Sequence, residues 1–412
     1  MAAPVDAGPN PALINRPRAS EVMRRAGLDA IVVTAPMNVY YATRGIPLLS
    51  RFTQIHMTAA LIPADPARTI AYVGSGFEYY LSIAVSGLAE NVDPYLVAGT
   101  YGPSDDPRQN PGFARALLHA QSDAEDIARL EKPPQFYPGM AKALAKAIAD
   151  RGLLGGKFGV DCSDARALLQ EADPAATLRP ADDLMLHIRV IKTPAEMALM
   201  RKASEINLEA SLVAARATRE EGSIAGVRQR FFAEASRRGN VPVYAGVDLV
   251  VGELTDGEFR EGQAIMVDFV SHYGFYQGDY GRTVFYGEPA KATRKAVEVG
   301  VTAWDEIREH LKPGLKFSEI SQIGHNTVKR LEKTLDFAFA PHLVGLQHRD
   351  HPVMSIEGKF QDIVLEEGMV LSVDCPCLNA NIDGTIHNED LMLITTNGSE
   401  PLNELGNYVI VV

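Results

Sequence analysis

The chain reads as two domains of different class, an α/β domain followed by an α+β domain, on three observations. Its 412 residues, 46% of them hydrophobic, are more than one core normally organises. Compact β-branched runs alternate with amphipathic helical patterns as far as residue 185. Beyond that point, long helical patterns cluster around hairpin-like pairs of strands instead. Residues 1–17 are Pro-rich and hold no continuous apolar stretch, so they read as a flexible lead-in rather than a signal peptide.

In the first domain, residues 18–185, a helix is expected over Ala19–Ala26, with Gly27 ending it. The run LDAIVVT (Leu28–Thr34) is a strand of the fully buried type. AALIPAD and TIAYVG form two more, joined by a Pro-Ala turn, and KFGVDC is a fourth. Pro138–Arg151 carries Ala and Lys at helical spacing, while Val97–Lys132 reads as a long surface excursion. The second domain, residues 186–412, opens on LHIRV, which is strand-like, and continues into a long helix. Thr193 is placed to cap that helix, with Pro194 at its first position and Glu196 three residues after the cap. Helices over Pro194–Glu220, Ser223–Arg238, Lys291–Leu311 and Ser318–Thr334 then alternate with strands.

Composition narrows the function. With 40 basic against 52 acidic residues the chain carries −12 at pH 7, which argues against general binding to nucleic acid or anionic membranes. No apolar stretch approaches the ~20 residues of a membrane-spanning helix. Cys162, Cys375 and Cys377 cannot build a disulfide framework, so a reducing, cytoplasmic setting is expected.

The informative residues lie between Ile265 and Ile394. In AIMVDFVSHYGFYQGDYGRTVFY, a two-residue turn at Tyr273-Gly274 brings Asp268 opposite Asp279. In GMVLSVDCPCLNANIDGTIHNEDLMLIT, counting outward from Asn381-Ile382 brings Asp374 opposite Glu389. Side chains so opposed have Cβ atoms about 4.5–5.5 Å apart, where like charges repel. A fold that keeps two such pairs is expected to place something positive between them. Two carboxylate pairs suit a pair of divalent cations, with histidines available in APHLVGLQHRDHP at His342, His348 and His351.

These segments resemble the pita-bread metallohydrolases: aminopeptidase P, prolidase, methionine aminopeptidase and creatinase. GLDAIVVTAPMNVYYATRG resembles the N-terminal domain that prolidase, aminopeptidase P and creatinase share, and LHIRVIKTPAEMALMRKAS the start of their catalytic domain. VDFVSHYGFYQGDYGRTV, PHLVGLQH, EEGMVLSVDCP and NEDLMLIT resemble, in order, the family's metal-binding segments. The resemblance implies an α/β N-terminal domain and an α+β pita-bread domain. It also implies the metal ligands Asp268, Asp279, His342, Asp374 and Glu389, with Asp279 and Glu389 bridging two divalent ions (Mn, Co, Fe or Zn). A water shared by the ions would attack a C–N amide bond, most simply the bond before proline in a short peptide. His348 would donate a hydrogen bond or shuttle a proton, and Asp374 would handle the proton of the water. Arg282 would be a structural partner of the acidic cluster. A homodimer is implied too, with Ile46–His56, including Arg51 and Phe52, as the loop reaching a partner's site.

Three departures from the pattern stand out. Asp374 replaces the peptidases' Glu, the His342–His348 spacing is shorter by one residue, and VPVYAGVDLVVGELTDGEFREG lacks a histidine that proline peptidases carry. Cys375 and Cys377 read as small buried residues at a strand end. The alternatives are a creatinase-like, metal-free hydrolase of a small non-peptide substrate, a lyase on the same metal site, and a non-catalytic scaffold. The intact set of ligand-capable residues favours the metal-dependent hydrolase.

Overall fold

The computed structural model describes residues 10–49, 57–79, 87–98, 135–377, 379, 381–403 and 406–412. They fall into two compact units, one running to Arg189 and taking in Pro352–Lys359, the other holding Val190–His351 and Phe360–Val412. Arg51 and Phe52, with most of the Ile46–His56 loop and most of the Val97–Lys132 excursion, lie outside the described residues.

The first unit begins with α1 (Arg16–Arg25), where the Asn15 side chain accepts a hydrogen bond from the amide of Arg18 and Pro17 sits in the first turn. Then come β1 (Ala30–Val33), α2 (Pro36–Thr43), β2 (Thr58–Pro63), β3 (Ile70–Ser75), β4 (Val92–Val97) and β5 (Phe136–Tyr137). They are followed by α3 (Met140–Asp150), β6 (Lys157–Val160), α4 (Ser163–Ala172), β7 (Thr177–Pro180) and α5 (Asp182–Arg189). The seven strands form a mixed sheet in the order β5-β4-β3-β2-β1-β6-β7. Strands β1, β2 and β3 are buried along their whole length, which is why they read as unbroken apolar runs. Leu144, Ala147 and Ile148 of α3 and Leu169 of α4 join Val32, Leu61 and Val73 in one core.

One element departs from the sequence reading. LHIRV belongs to helix α5, not to a strand. Its apolar residues Leu184, Met185 and Ile188 are all buried at helical spacing, and Asp182 and Asp183 at its start with Arg189 at its end complement the helix dipole. Five residues read alone hide that period.

The second unit is two four-stranded sheets, each carrying two helices. Helix α6 (Pro194–Arg216) opens on a complete capping box: Thr193 accepts from the amide of Glu196, and Glu196 accepts from the amide of Thr193. Helix α7 (Ile224–Arg238) follows, then β8 (Val241–Val247), β9 (Ala264–Tyr273) and β10 (Tyr276–Phe285). Helices α8 (Lys291–His310) and α9 (Phe317–Leu331) precede β11 (Ala340–Leu343), β12 (Val370–Asp374), β13 (Met392–Ile394), β14 (Ser399–Pro401) and β15 (Val409–Val411). The sheet orders are β15-β10-β9-β8 and β11-β12-β13-β14. Ala210, Ala214, Val227 and Phe231 of α6 and α7 cover the first sheet, and Trp304, Ile307, Ile320 and Val328 of α8 and α9 pack with the second.

Strand β10 lies unusually close to α6. A Cβ on Gly278 would stand 2.7 Å from the Ala203 carbonyl oxygen, so only glycine permits the approach, and the next residue along is Asp279. A buried polar chain secures β9 beside it. Asn207 donates to the Phe269 carbonyl (2.8 Å), Ser271 donates to Asn207 (2.7 Å), and Asn240 donates to Ser271 (2.8 Å). The strand carrying Asp268 is thereby held just beyond that residue, at Phe269 and Ser271.

A candidate metal centre

The hairpin register differs from the sequence reading. Tyr273 pairs with Tyr276, so the turn is Gly274-Phe275, and both turn residues have positive φ (53° and 70°). That is the signature of the turn that matches strand twist. Phe275 tolerates it because its ring is buried and stacks on His272, centroids 5.5 Å apart. As a result Asp268 faces Gly281 and Asp279 faces Val270. The two aspartates are diagonal neighbours on one face of the sheet rather than directly opposed. Sliding the turn by one residue moves each partner by two, which preserves the face.

In the second hairpin Leu371 pairs with Met392 and Cys377 with Ile386. Between these pairs the same register sets Asp374 across from Glu389. Glu389 itself also bridges to Gly281 through mutual backbone hydrogen bonds, joining the two sheets at the site. Strand β11, paired with β12, brings His342 in beside them.

The side chains collect in two groups whose nitrogen and oxygen atoms lie within 4.8 Å of one another: Asp279 with His342 and His348, and Asp268 with Asp374, His387 and Glu389. Glu389 links the groups. Its Oε1 lies 3.3 Å from His342 Nε2, and its Oε2 lies 3.1 Å from His387 Nε2. Ser372 donates to Oε1 at 2.6 Å. His342 Nε2 is 3.6 Å from Asp374 Oδ2 and 3.8 Å from Asp279 Oδ2, and its Nδ1 lies 3.0 Å from the His348 carbonyl oxygen, which fixes the ring. His348 Nε2 stands 3.1 Å from Asp279 Oδ2, at the more open side of the group.

Burial, and then repulsion from Glu389, pushes the carboxyls of Asp268 and Asp279 well above the usual range, and that of Asp374 upward. Burial also opposes charge on Glu389, but hydrogen bonds from His342 and His387 carry it well below. His387 is pushed up to about 9: burial works against its charge, and Glu389 overcomes it. Both Asp279 oxygens and Asp268 Oδ1 are buried without a hydrogen bond. An unpaired buried carboxylate costs several kcal/mol, so these atoms suit a positive partner. Carboxylate oxygens with imidazole nitrogens are the donors that first-row divalent cations take.

The structure thus gathers Asp268, Asp279, His342, His348, Asp374 and Glu389 in one place. His351 stands apart, with Nδ1 accepting from the Leu343 amide and its ring edge-on to Phe317. Arg282 is bound to Asp390 (2.6 Å) and to the Glu389 carbonyl (2.7 Å), not to the clustered carboxylates. Cys375 donates to the Val373 carbonyl and Cys377 to Asn379, and burial raises both thiols. Two participants escaped the sequence reading. His387 sits two residues before Glu389, so strand alternation puts both on one face, and that signal was available. Tyr244 of β8 lies beside Asp268 across the sheet, and burial followed by the Asp268 charge pushes its phenol well up. Only the strand order reveals it.

The arrangement is that of a metal-dependent hydrolase on a pita-bread fold. A model of metallopeptidase family M24 matches residues 182–396, more than half the chain, and the chain belongs to that family. It is 26% identical over 249 residues to the Xaa-Pro dipeptidase of Pyrococcus furiosus, covering 57% of this chain and 69% of that one. To the Xaa-Pro dipeptidase of Pyrococcus horikoshii it is 26% identical over 270 residues, 61% of this chain and 74% of the relative. Among solved structures, the Xaa-Pro dipeptidase from Bacillus anthracis superposes with a TM-score of 0.66 at 17% identity, covering 96% of this chain and 99% of that one. The prolidase from Pyrococcus furiosus gives 0.62 at 19%, covering 94% and 100%. At these identities the superpositions speak for the fold.

Proposed function

We propose that the protein hydrolyses the Xaa-Pro bond of short peptides with two divalent cations (Mn, Co, Fe or Zn) held by Asp268, Asp279, His342, Asp374 and Glu389. The observation that carries this reading is Glu389, whose two oxygens face two different imidazoles while the Asp279 oxygens lack hydrogen bonds. Those two carboxylates would hold the pair of ions between them. Bound there, the cations would acidify a water and polarise the scissile carbonyl. Asp374, whose side chain is 20% exposed, is the carboxylate open enough to take up the proton of that water at an Oδ atom. His348, at 37%, is placed to donate from Nε2 to the reacting group. Support for proline beside the cleaved bond comes from the named relatives.

The same reading has the enzyme act as a homodimer in the cytoplasm on small substrates, without nucleic acid or membrane. Among the described residues no disulfide joins the cysteines, and no helix is long and apolar enough to cross a membrane. The test loads purified protein with each metal in turn. It is then assayed against Xaa-Pro dipeptides, Xaa-Pro tripeptides and creatine, with the ions counted and the mass measured by sedimentation. About two ions per chain with cleavage of Xaa-Pro peptides is expected. Cleavage of creatine alone, or turnover unaffected by chelator, would refute it.

A further inference from the structure

We infer that His387 is a sixth protein ligand of the centre, so that each cation carries one imidazole, His342 on one and His387 on the other. The inference deepens the two-ion reading and rests on it. Its geometric basis is the symmetry about Glu389: His342 Nε2 approaches Oε1, and His387 Nε2 approaches Oε2, at 3.3 and 3.1 Å. His387 Nε2 is also 4.0 Å from Asp374 Oδ1. Ligand bonds of about 2.0–2.2 Å place two donors of one ion roughly 3–4 Å apart, depending on the angle between them. Both His387 separations are of that size.

The ring is held in this place by design of the backbone. The His387 amide donates to Thr283 Oγ1 (3.1 Å), and that hydroxyl donates back to the His387 carbonyl (3.0 Å). The imidazole packs against Gly281, where a Cβ would come within 2.3 Å of Cδ2 and 2.5 Å of Nε2. No other residue at 281 leaves room for it. Asp268 Oδ1 and His387 Nδ1, both buried, accept or donate no hydrogen bond in the same group. An ion among these atoms would satisfy the aspartate. With a nitrogen donor on each ion rather than on one, the centre should favour Zn, Co or Fe over Mn.

The competing role is a hydrogen-bond donor that only steadies Glu389, and His387→Gln separates the two because its amide can still donate to that carboxylate. Co(II) binding is measured by equilibrium dialysis against a competing chelator, with the visible spectrum recorded, for wild type, His387→Gln and His342→Gln. Wild type should hold about two ions. Each variant should lose affinity for one of them by more than the roughly 10–100-fold that loss of an outer hydrogen bond costs. If wild type holds fewer than two, the two-ion reading itself fails. If wild type holds two and His387→Gln keeps both with an unchanged spectrum, His387 is not a ligand and the two-ion reading survives. Should the variant not fold, pulsed EPR on metal-loaded His348→Gln with labelled imidazole nitrogens decides the matter, since only His342 and His387 then remain in the two groups. Coupling from two histidines upholds the assignment; coupling from one overturns it.

Discussion

Glu389 and Asp390 are neighbours in the chain, and their carboxylates enter surroundings built on opposite principles. Asp390 is fully answered: Arg282 donates at 2.6 Å and the Trp304 indole at 3.1 Å, all of it buried. Lys192 and Asp350 form a second such pair at 3.3 Å, with side chains 0% and 1% exposed. On Glu389's side, three other carboxylates share three imidazoles, and neither Asp279 oxygen has a hydrogen-bond partner. Both regions are largely buried, with Asp374 and His348 opening the cluster to solvent. What separates a structural charge from a functional one here is whether the fold supplies a full counter-charge: in the cluster four carboxylates outnumber three imidazoles. Where it does, removing a partner should cost stability. Where it does not, removing a carboxylate should cost activity and spare the fold.

The sharpest way to break that contrast is Asp279→Asn. Turnover should fall by about 10³-fold or more, with loss of bound metal. The metal-free variant should melt at or above the wild-type temperature, because a repelled, buried charge has gone. Melting well below wild type in chelator would put Asp279 on the structural side. Next, Arg282→Met leaves Asp390 buried and unpaired and should lower unfolding free energy by roughly 3–5 kcal/mol in urea titration. A midpoint close to wild type would erase the distinction from the other direction.

Glu196 sharpens the comparison from within the paired region. It accepts from Tyr276 (3.0 Å) and from the Thr193 amide (2.8 Å), yet burial lifts its pKa to about 7, against the opposing pull of Lys192. The folded state therefore binds its proton more tightly than the unfolded chain. Stability is greatest below pH ~4.5 on this account and is lost as pH rises toward ~7, by roughly 3 kcal/mol in total. In Glu196→Gln that slope should vanish. Denaturation midpoints at pH 5 and pH 8 check it, and an unchanged slope would exonerate Glu196. The mildest change is Asp374→Glu, which should keep both ions and raise kcat/KM on Xaa-Pro dipeptides several-fold, up to about tenfold. Loss of an ion would show instead that this pocket is fitted to the shorter acid.

Much of this was legible before any coordinates. The buried runs around Val32 and Leu61 announced a sheet covered on both faces, and Thr193, Pro194 and Glu196 marked the start of α6 to the residue. Carboxylates and histidines with nowhere else to go pointed to cations. The hairpin at Asp268 differs from the sequence expectation by one turn residue, and the packing of Phe275 on His272 accompanies the left-handed phenylalanine there. For Asp374 and Glu389 the outward count from Asn381-Ile382 gives the observed register.

Local pattern was enough to settle most of the strands and helices, LHIRV apart, and which acids share a face, because those follow from periods of two and 3.6 along the chain. Which histidine joins which acid is not a local property. It depends on Gly278 admitting α6, on Gly281 yielding space to His387, and on Gly281 and Glu389 stitching two sheets together. Those are close approaches between segments about a hundred residues apart at the stitch, where a missing Cβ matters more than any side chain that is present, and only the assembled structure decides them.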